Sequence, residues 1–234
     1  MTNPPRHPPD PSRSKDRRSA PLQNRVDPFG AVHAVAARGL FTGNRGVLHD
    51  PDRRILTGRR WTTRAWLICA LDWRGRRRDP MGRNAPNGGA GWTALFFLDE
   101  VTALAAGHRP CFHCRRAAAR AFLAAGMAGT HAPSLAAGDV DRRLHATRAW
   151  SGGSPRALTP AGLAALPDGA MVACGRTAFA LRGGRALPWA FTGYGAALPL
   201  AALGAGVVCL TPPITLAALS AGYRPVWHAG AAAG

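Results

Sequence analysis

The chain has 234 residues, is 47% hydrophobic and carries a formal net charge of +18. That apolar content fills a core in one large domain or two small ones. Five cysteines, an odd number spread unevenly, exclude a disulfide-stapled secreted domain and make a reduced, cytoplasmic compartment the simpler expectation.

The charge has two readings. A single lysine (Lys15) and a single glutamate (Glu100) amid abundant Ala, Gly, Pro and Arg fit a GC-rich coding bias that raises arginine without functional demand. Distribution speaks for a nucleic-acid surface instead. Ten arginines fall between Arg53 and Arg83, against only Asp72 and Asp79 among the acids. Clustered guanidinium groups of this kind neutralise phosphates and release counterions.

Residues 1–28 are Pro-rich, polar and basic, with no apolar run of the kind a secretory leader needs, and are expected to form a disordered tail. A first module is expected over residues 29–150. It opens near Phe29, with a turn at residues 43–46 and a short strand at residues 47–49. Residues 65–73 (AWLICALDW) are expected to form a strand. Period-two geometry puts Leu67, Cys69, Leu71 and Trp73 on one face and Trp66, Ile68 and Ala70 on the other. A Gly/Asn-rich loop leads to a second strand at residues 92–98, expected to lie beside the first.

Residues 95–116 (LFFLDEVTALAAGHRPCFHCRR) carry the strongest signal. An apolar strand and a short helical turn ending at Gly107 lead into Cys111 and Cys114. Two thiols separated by two residues on a tight turn can both face one ion, and the spacing suits tetrahedral zinc with Zn–S bonds of about 2.3 Å. The run from Ala103 to Gly107, with Arg109, Pro110, Cys111, Cys114 and Arg115, resembles the second half of the zinc-binding domain of the Ada alkyl-DNA repair family. The resemblance spans roughly twenty residues. It implies zinc held by four thiolates, one of which accepts a methyl group from a DNA phosphotriester.

The upstream Cys-x-x-x-Cys pair of that family has no counterpart here, which puts methyl transfer in doubt. Cys69 is the only upstream cysteine; His49, His108 and His113 are the nearby imidazoles. The expected ligand set is Cys69, Cys111 and Cys114 with His49, around Zn²⁺. For Cys69 the competing reading is core packing between Leu67 and Leu71.

A helix is expected over residues 115–125 with Gly126 as its stop, and another over residues 139–150 carrying His145. Residues 151–234 read as a β-rich module, with strands near residues 170–173, 178–181, 186–190 and 207–210. No charge occurs between Arg185 and Arg224, but Pro188, Pro199, Pro212 and Pro213 interrupt the run, so no bilayer span of about 20 apolar residues is expected. Residues 210–228 (LTPPITLAALSAGYRPVWH) echo residues 95–113 without the thiols; duplication and independent use of one turn chemistry both explain the echo.

No Gly-rich phosphate loop, nucleophile elbow or His-x-Glu deaminase motif is present. The expectation is therefore an α+β, zinc-binding protein that contacts nucleic acid, DNA by preference. The contacts would come from Arg59, Arg60, Arg64, Arg76, Arg77, Arg78, Arg115 and Arg116. The alternatives are a zinc-dependent hydrolase or nuclease, with Asp50 or Asp99 as a nearby carboxylate, and a zinc-stabilised protein-interaction module.

Overall fold

In the computed structural model, residues 20–75, 78–148 and 153–231 are described. The chain folds as α+β, with small and mostly antiparallel sheets. Strands β1 (Arg25–Val26), β2 (Val32–His33) and β3 (Phe41–Asn44) come first, followed by a separate ladder of β4 (His49–Asp50) and β5 (Ile55–Leu56). Strands β6 (Leu67–Ala70) and β7 (Leu95–Phe97) precede the short helix α1 (Glu100–Ala105), and β8 (Arg109–Pro110) completes a sheet of order β2-β1-β7-β3-β6-β8.

Two expectations change here. Residues 24–26, expected within the tail, are part of the fold: Asn24 and Val26 are buried, and the Asn24 carbonyl accepts the Phe96 amide; residues 1–19 of that tail lie outside the described residues. The strands expected side by side at residues 65–73 and 92–98 are separated by β3, which pairs antiparallel with both β6 and β7. The small Gly43 permits this, because a Cβ there would lie 2.0 Å from the Leu67 carbonyl oxygen.

Helix α2 (Arg116–Gly129) runs past Gly126, which packs against Leu135 and Ile214 rather than ending the helix. Helix α3 (Ala137–Thr147) takes up the second expected helix; Ala149 and Trp150 lie outside the described residues. The second half begins with β9 (Arg156–Ala157) and α4 (Pro160–Ala164). Then come β10 (Met171–Cys174), β11 (Thr177–Arg182), β12 (Arg185–Ala190), β13 (Gly193–Tyr194), β14 (Leu198–Pro199), β15 (Val207–Cys209) and α5 (Pro213–Ser220). Four of these, β10, β11, β12 and β15, are the strands read from the sequence. No helix among the described residues is long and apolar enough to cross a membrane.

The core joins the halves. Ile68, Leu95, Phe97, Leu104 and Phe122 from the first half pack with Ile214, Ala218, Leu219 and Tyr223 from the second. A smaller cluster sets Val101 and Ala105 of α1 against Met171, Ala178 and Ala180 of the second sheet. The echoing segments share a helix stop. In one, the amides of Gly107 and His108 return to Leu104 and Ala103; in the other, those of Gly222 and Tyr223 return to Leu219 and Ala218. Both glycines have positive φ, 81° and 99°, as this helix ending requires. They diverge afterwards, since β8 joins a sheet and residues 224–228 do not.

Helices α2 and α5 meet at Gly129, where a Cβ would fall 2.1 Å from the Ala217 carbonyl oxygen. Gly129→Ala must therefore push the helices apart. A loss of about 1–3 kcal/mol is expected, measured as a lower urea midpoint with unchanged slope.

Candidate metal centre

Two adjacent strands bring the sulfurs together. β6 and β8 run parallel, with Leu67 opposite Arg109 and Ile68 opposite Pro110. Amides of Arg109 and Cys111 donate to the carbonyls of Trp66 and Ile68, each at 3.0 Å. Cys69 and Cys111 are the next residues on each strand, and neighbouring strands lie only about 4.8 Å apart. The chain then turns: the Arg115 amide donates to the Cys111 carbonyl at 2.9 Å, and α2 starts at Arg116. That turn returns Cys114 to the same place. The three Sγ atoms all lie within 4.8 Å of one another. Zinc with three thiolates at about 2.3 Å would set sulfurs about 3.8 Å apart, a spacing compatible with sulfurs that all lie within 4.8 Å of one another.

Without a cation, three thiols this close redistribute their protons. The Cys111 thiol is pushed down by hydrogen bonds from the thiols of Cys114 and Cys69, and the Cys69 thiol is pushed up by its bonds to Cys111 and Cys114 and by burial. The His113 amide also donates to the Cys111 sulfur at 3.4 Å, which favours anionic sulfur there.

The turn is tied to the core through Arg115. Its guanidinium makes two bonds to Glu100, at 2.8 and 2.9 Å, and lies over the Phe41 ring at 4.3 Å. Glu100 also accepts from the Tyr223 hydroxyl at 2.6 Å and the Val226 amide at 3.0 Å. Arg115 is thus committed inward, not to the nucleic-acid face expected of it.

His49 does not join the sulfurs. It is buried, with Nδ1 at 2.7 Å from the Thr93 hydroxyl and Nε2 at 3.3 Å from the Gly82 carbonyl, so its ring braces the loop before β7. His108 is fully buried against Trp66 and Phe97, its Nε2 accepting from Arg45. Burial, then the charges of Arg45 and Arg148, hold it well below the usual histidine range. His113 is exposed and packs edge-on against Trp73, with ring centroids 5.5 Å apart. Cys174 and Cys209 belong to the second sheet.

The three thiols open onto a cavity of about 490 Å³ whose walls include Trp73, Trp92, Phe96, Arg78 and His113. Arg78 lies 4.2 Å from the Trp92 ring. Neither expected carboxylate reaches it. Asp50 caps its own turn by accepting the amides of Asp52 and Arg53, and Asp99 is buried under Thr102, Tyr194 and the His228 amide.

Of the expected nucleic-acid residues, Arg59, Arg60, Arg64, Arg78 and Arg116 are exposed, while Arg76 and Arg77 lie outside the described residues. Arg54 and Arg83, within the same arginine-rich stretch, pair with Asp79 and Asp52. Sequence reasoning missed Trp73 and Trp92 as cavity walls. Trp73 was legible, sharing the strand face of Cys69; Trp92 was not, because a loop brings it across. No family model, curated protein or solved structure matches this chain.

Glu100→Gln leaves Arg115 partly buried without its counter-charge. A cost of about 3–5 kcal/mol is expected, read in denaturant unfolding, together with faster reaction of Cys114 with a thiol reagent in the native state. An unchanged thiol rate would show that this ion pair does not hold the turn.

Proposed function

We propose that the protein binds one zinc ion through Cys69, Cys111 and Cys114 and uses its arginine-rich flank to bind nucleic acid, DNA in particular. The observation that carries the first half is the mutual approach of three sulfurs to within 4.8 Å. Thiolate donors in a compact set favour zinc over the oxygen-seeking divalent ions. The turn at Cys111 and Cys114, and the residues around it, are also what the resemblance to the Ada zinc domain rests on.

Three protein sulfurs rather than four make the set less negative than that family's, and no second upstream thiolate stands ready to accept a methyl group. The nucleic-acid half is supported by exposed Arg59, Arg60, Arg64, Arg78 and Arg116, as phosphate contacts that supply affinity without base specificity. Among the described residues no carboxylate lines the cavity, so the hydrolytic alternative would have to use His113, the one imidazole in that wall, as its general base.

Purified protein is expected to carry one zinc per chain, lost in Cys111→Ser and Cys114→Ser variants. Chelation should expose three further reactive thiols while most ellipticity persists, because Trp66 and Ile68 anchor β6 in the core independently of the ion. DNA affinity should fall steeply with salt, with a log–log slope reduced by roughly one for each arginine removed from the flank. Absence of zinc under reducing purification rejects the metal site, and absence of DNA binding at low salt rejects the second half.

A further inference from the structure

We propose that the cavity over the three thiols is a receptor for a single nucleobase, turned out of its stack with its phosphate left at the rim. The inference rests on the reading that this protein binds nucleic acid, and it names the part of the ligand that enters the molecule.

Size comes first. About 490 Å³ lies within the roughly 300–1,000 Å³ of small-molecule sites. The lining includes three aromatic rings. Trp73, Trp92 and Phe96 are each only half-buried, whereas Trp66, on the other face of the same strand region, is wholly buried in the core. Each of the three half-buried rings already carries a guanidinium near it, Arg25 over Phe96 at 4.7 Å included, and partly exposed aromatic surface gathered around one hollow is what sequence-tolerant base stacking uses.

Charge agrees with this occupant. Arg78 is exposed, lines the cavity and lies over Trp92 at 4.2 Å; Arg74 is exposed and sits 5.2 Å from the Trp73 ring. Guanidinium groups stacked on indoles offer both a flat cationic surface to a base and donors to a phosphate. No carboxylate among the described lining residues opposes an anion. Asn44 is also in the wall, with its side-chain oxygen accepting the Gly46 amide at 3.3 Å.

A phosphate-only surface explains the arginines but leaves the open tryptophans without purpose. An apolar ligand explains the tryptophans but not the guanidinium groups laid upon them. A base attached to a phosphate uses both.

The test titrates the full chain, as purified and with its metal content measured, against a short single-stranded oligodeoxynucleotide, the matching duplex and free AMP, following tryptophan fluorescence. The single strand should bind more tightly than the duplex at equal salt and quench emission. Trp73→Ala and Trp92→Ala should each weaken it roughly fivefold to a hundredfold, with Trp73→Phe recovering most of the loss. Metal content unchanged from the parent protein confirms that these variants keep the thiol site and the fold.

If AMP binds with the same sensitivity to both variants, free nucleotides are a source of the base. If only the strand binds, the source is a polynucleotide; either result supports the receptor. Strand binding that both alanine variants leave untouched overturns the inference while the nucleic-acid reading stands. If no probe binds, both fall. Should the protein emerge without metal, the zinc reading fails separately, and the same titrations still decide the base.

Discussion

Two adjacent acidic residues at the start of α1 organise this molecule. Asp99 caps the helix and takes hydrogen bonds from Tyr194 and the His228 amide. Glu100 takes Arg115, the Tyr223 hydroxyl and the Val226 amide. Every one of those partners except Arg115 comes from the second half of the chain. Burial raises the Asp99 carboxyl above its ordinary value, against the pull of the donors around it. Charges withdrawn from water in this way persist only when their hydrogen bonds are complete. The halves are therefore coupled: without residues 194–228 in place, Glu100 would keep only Arg115 and Asp99 only Thr102, and each acid would lose its partners from the second half.

The same coupling reaches the thiols. Arg115 follows Cys114 directly, so the guanidinium that neutralises Glu100 also fixes the end of the Cys111–Cys114 turn. On the other side, β6 is held by Trp66 and Ile68, both without solvent exposure, each contributing about 1.5–3 kcal/mol of burial. The sulfurs thus meet between two independently anchored segments. A cluster of three sulfurs built this way, which could hold a metal ion, is pre-organised by the core.

Around that set the chain places tryptophans and arginines rather than carboxylates. Among the described lining residues the one side chain suited to activate water is His113. Stacking and phosphate contact both find partners there. The uneven charge of the chain follows the same division. Arg54, Arg83 and Arg109 are neutralised by aspartates, and Arg115 by the only glutamate. Arg59, Arg64, Arg74 and Arg78 remain at the surface. Two of these surface arginines, Arg74 and Arg78, lie against the rings of Trp73 and Trp92.

Local patterns in the sequence determined a good deal. The two-residue spacing of Cys111 and Cys114 dictates a shared direction, the alternation in residues 65–73 puts Cys69 and Trp73 on one face, and the apolar runs of the second half already mark β10, β11, β12 and β15. These are short-range consequences of backbone geometry, legible within a few residues. Tertiary structure decided the rest. β3 separates the two strands expected to touch, and β8, only two residues long, carries Cys111 to Cys69 in their place. His49, chemically as good a ligand as any, is drawn instead to Thr93 and Gly82. Arg115, indistinguishable in sequence from its neighbour Arg116, is claimed by Glu100. Each choice was settled by competition between distant groups for buried partners, and the energy of a buried hydrogen bond depends on which groups the folded chain brings within reach.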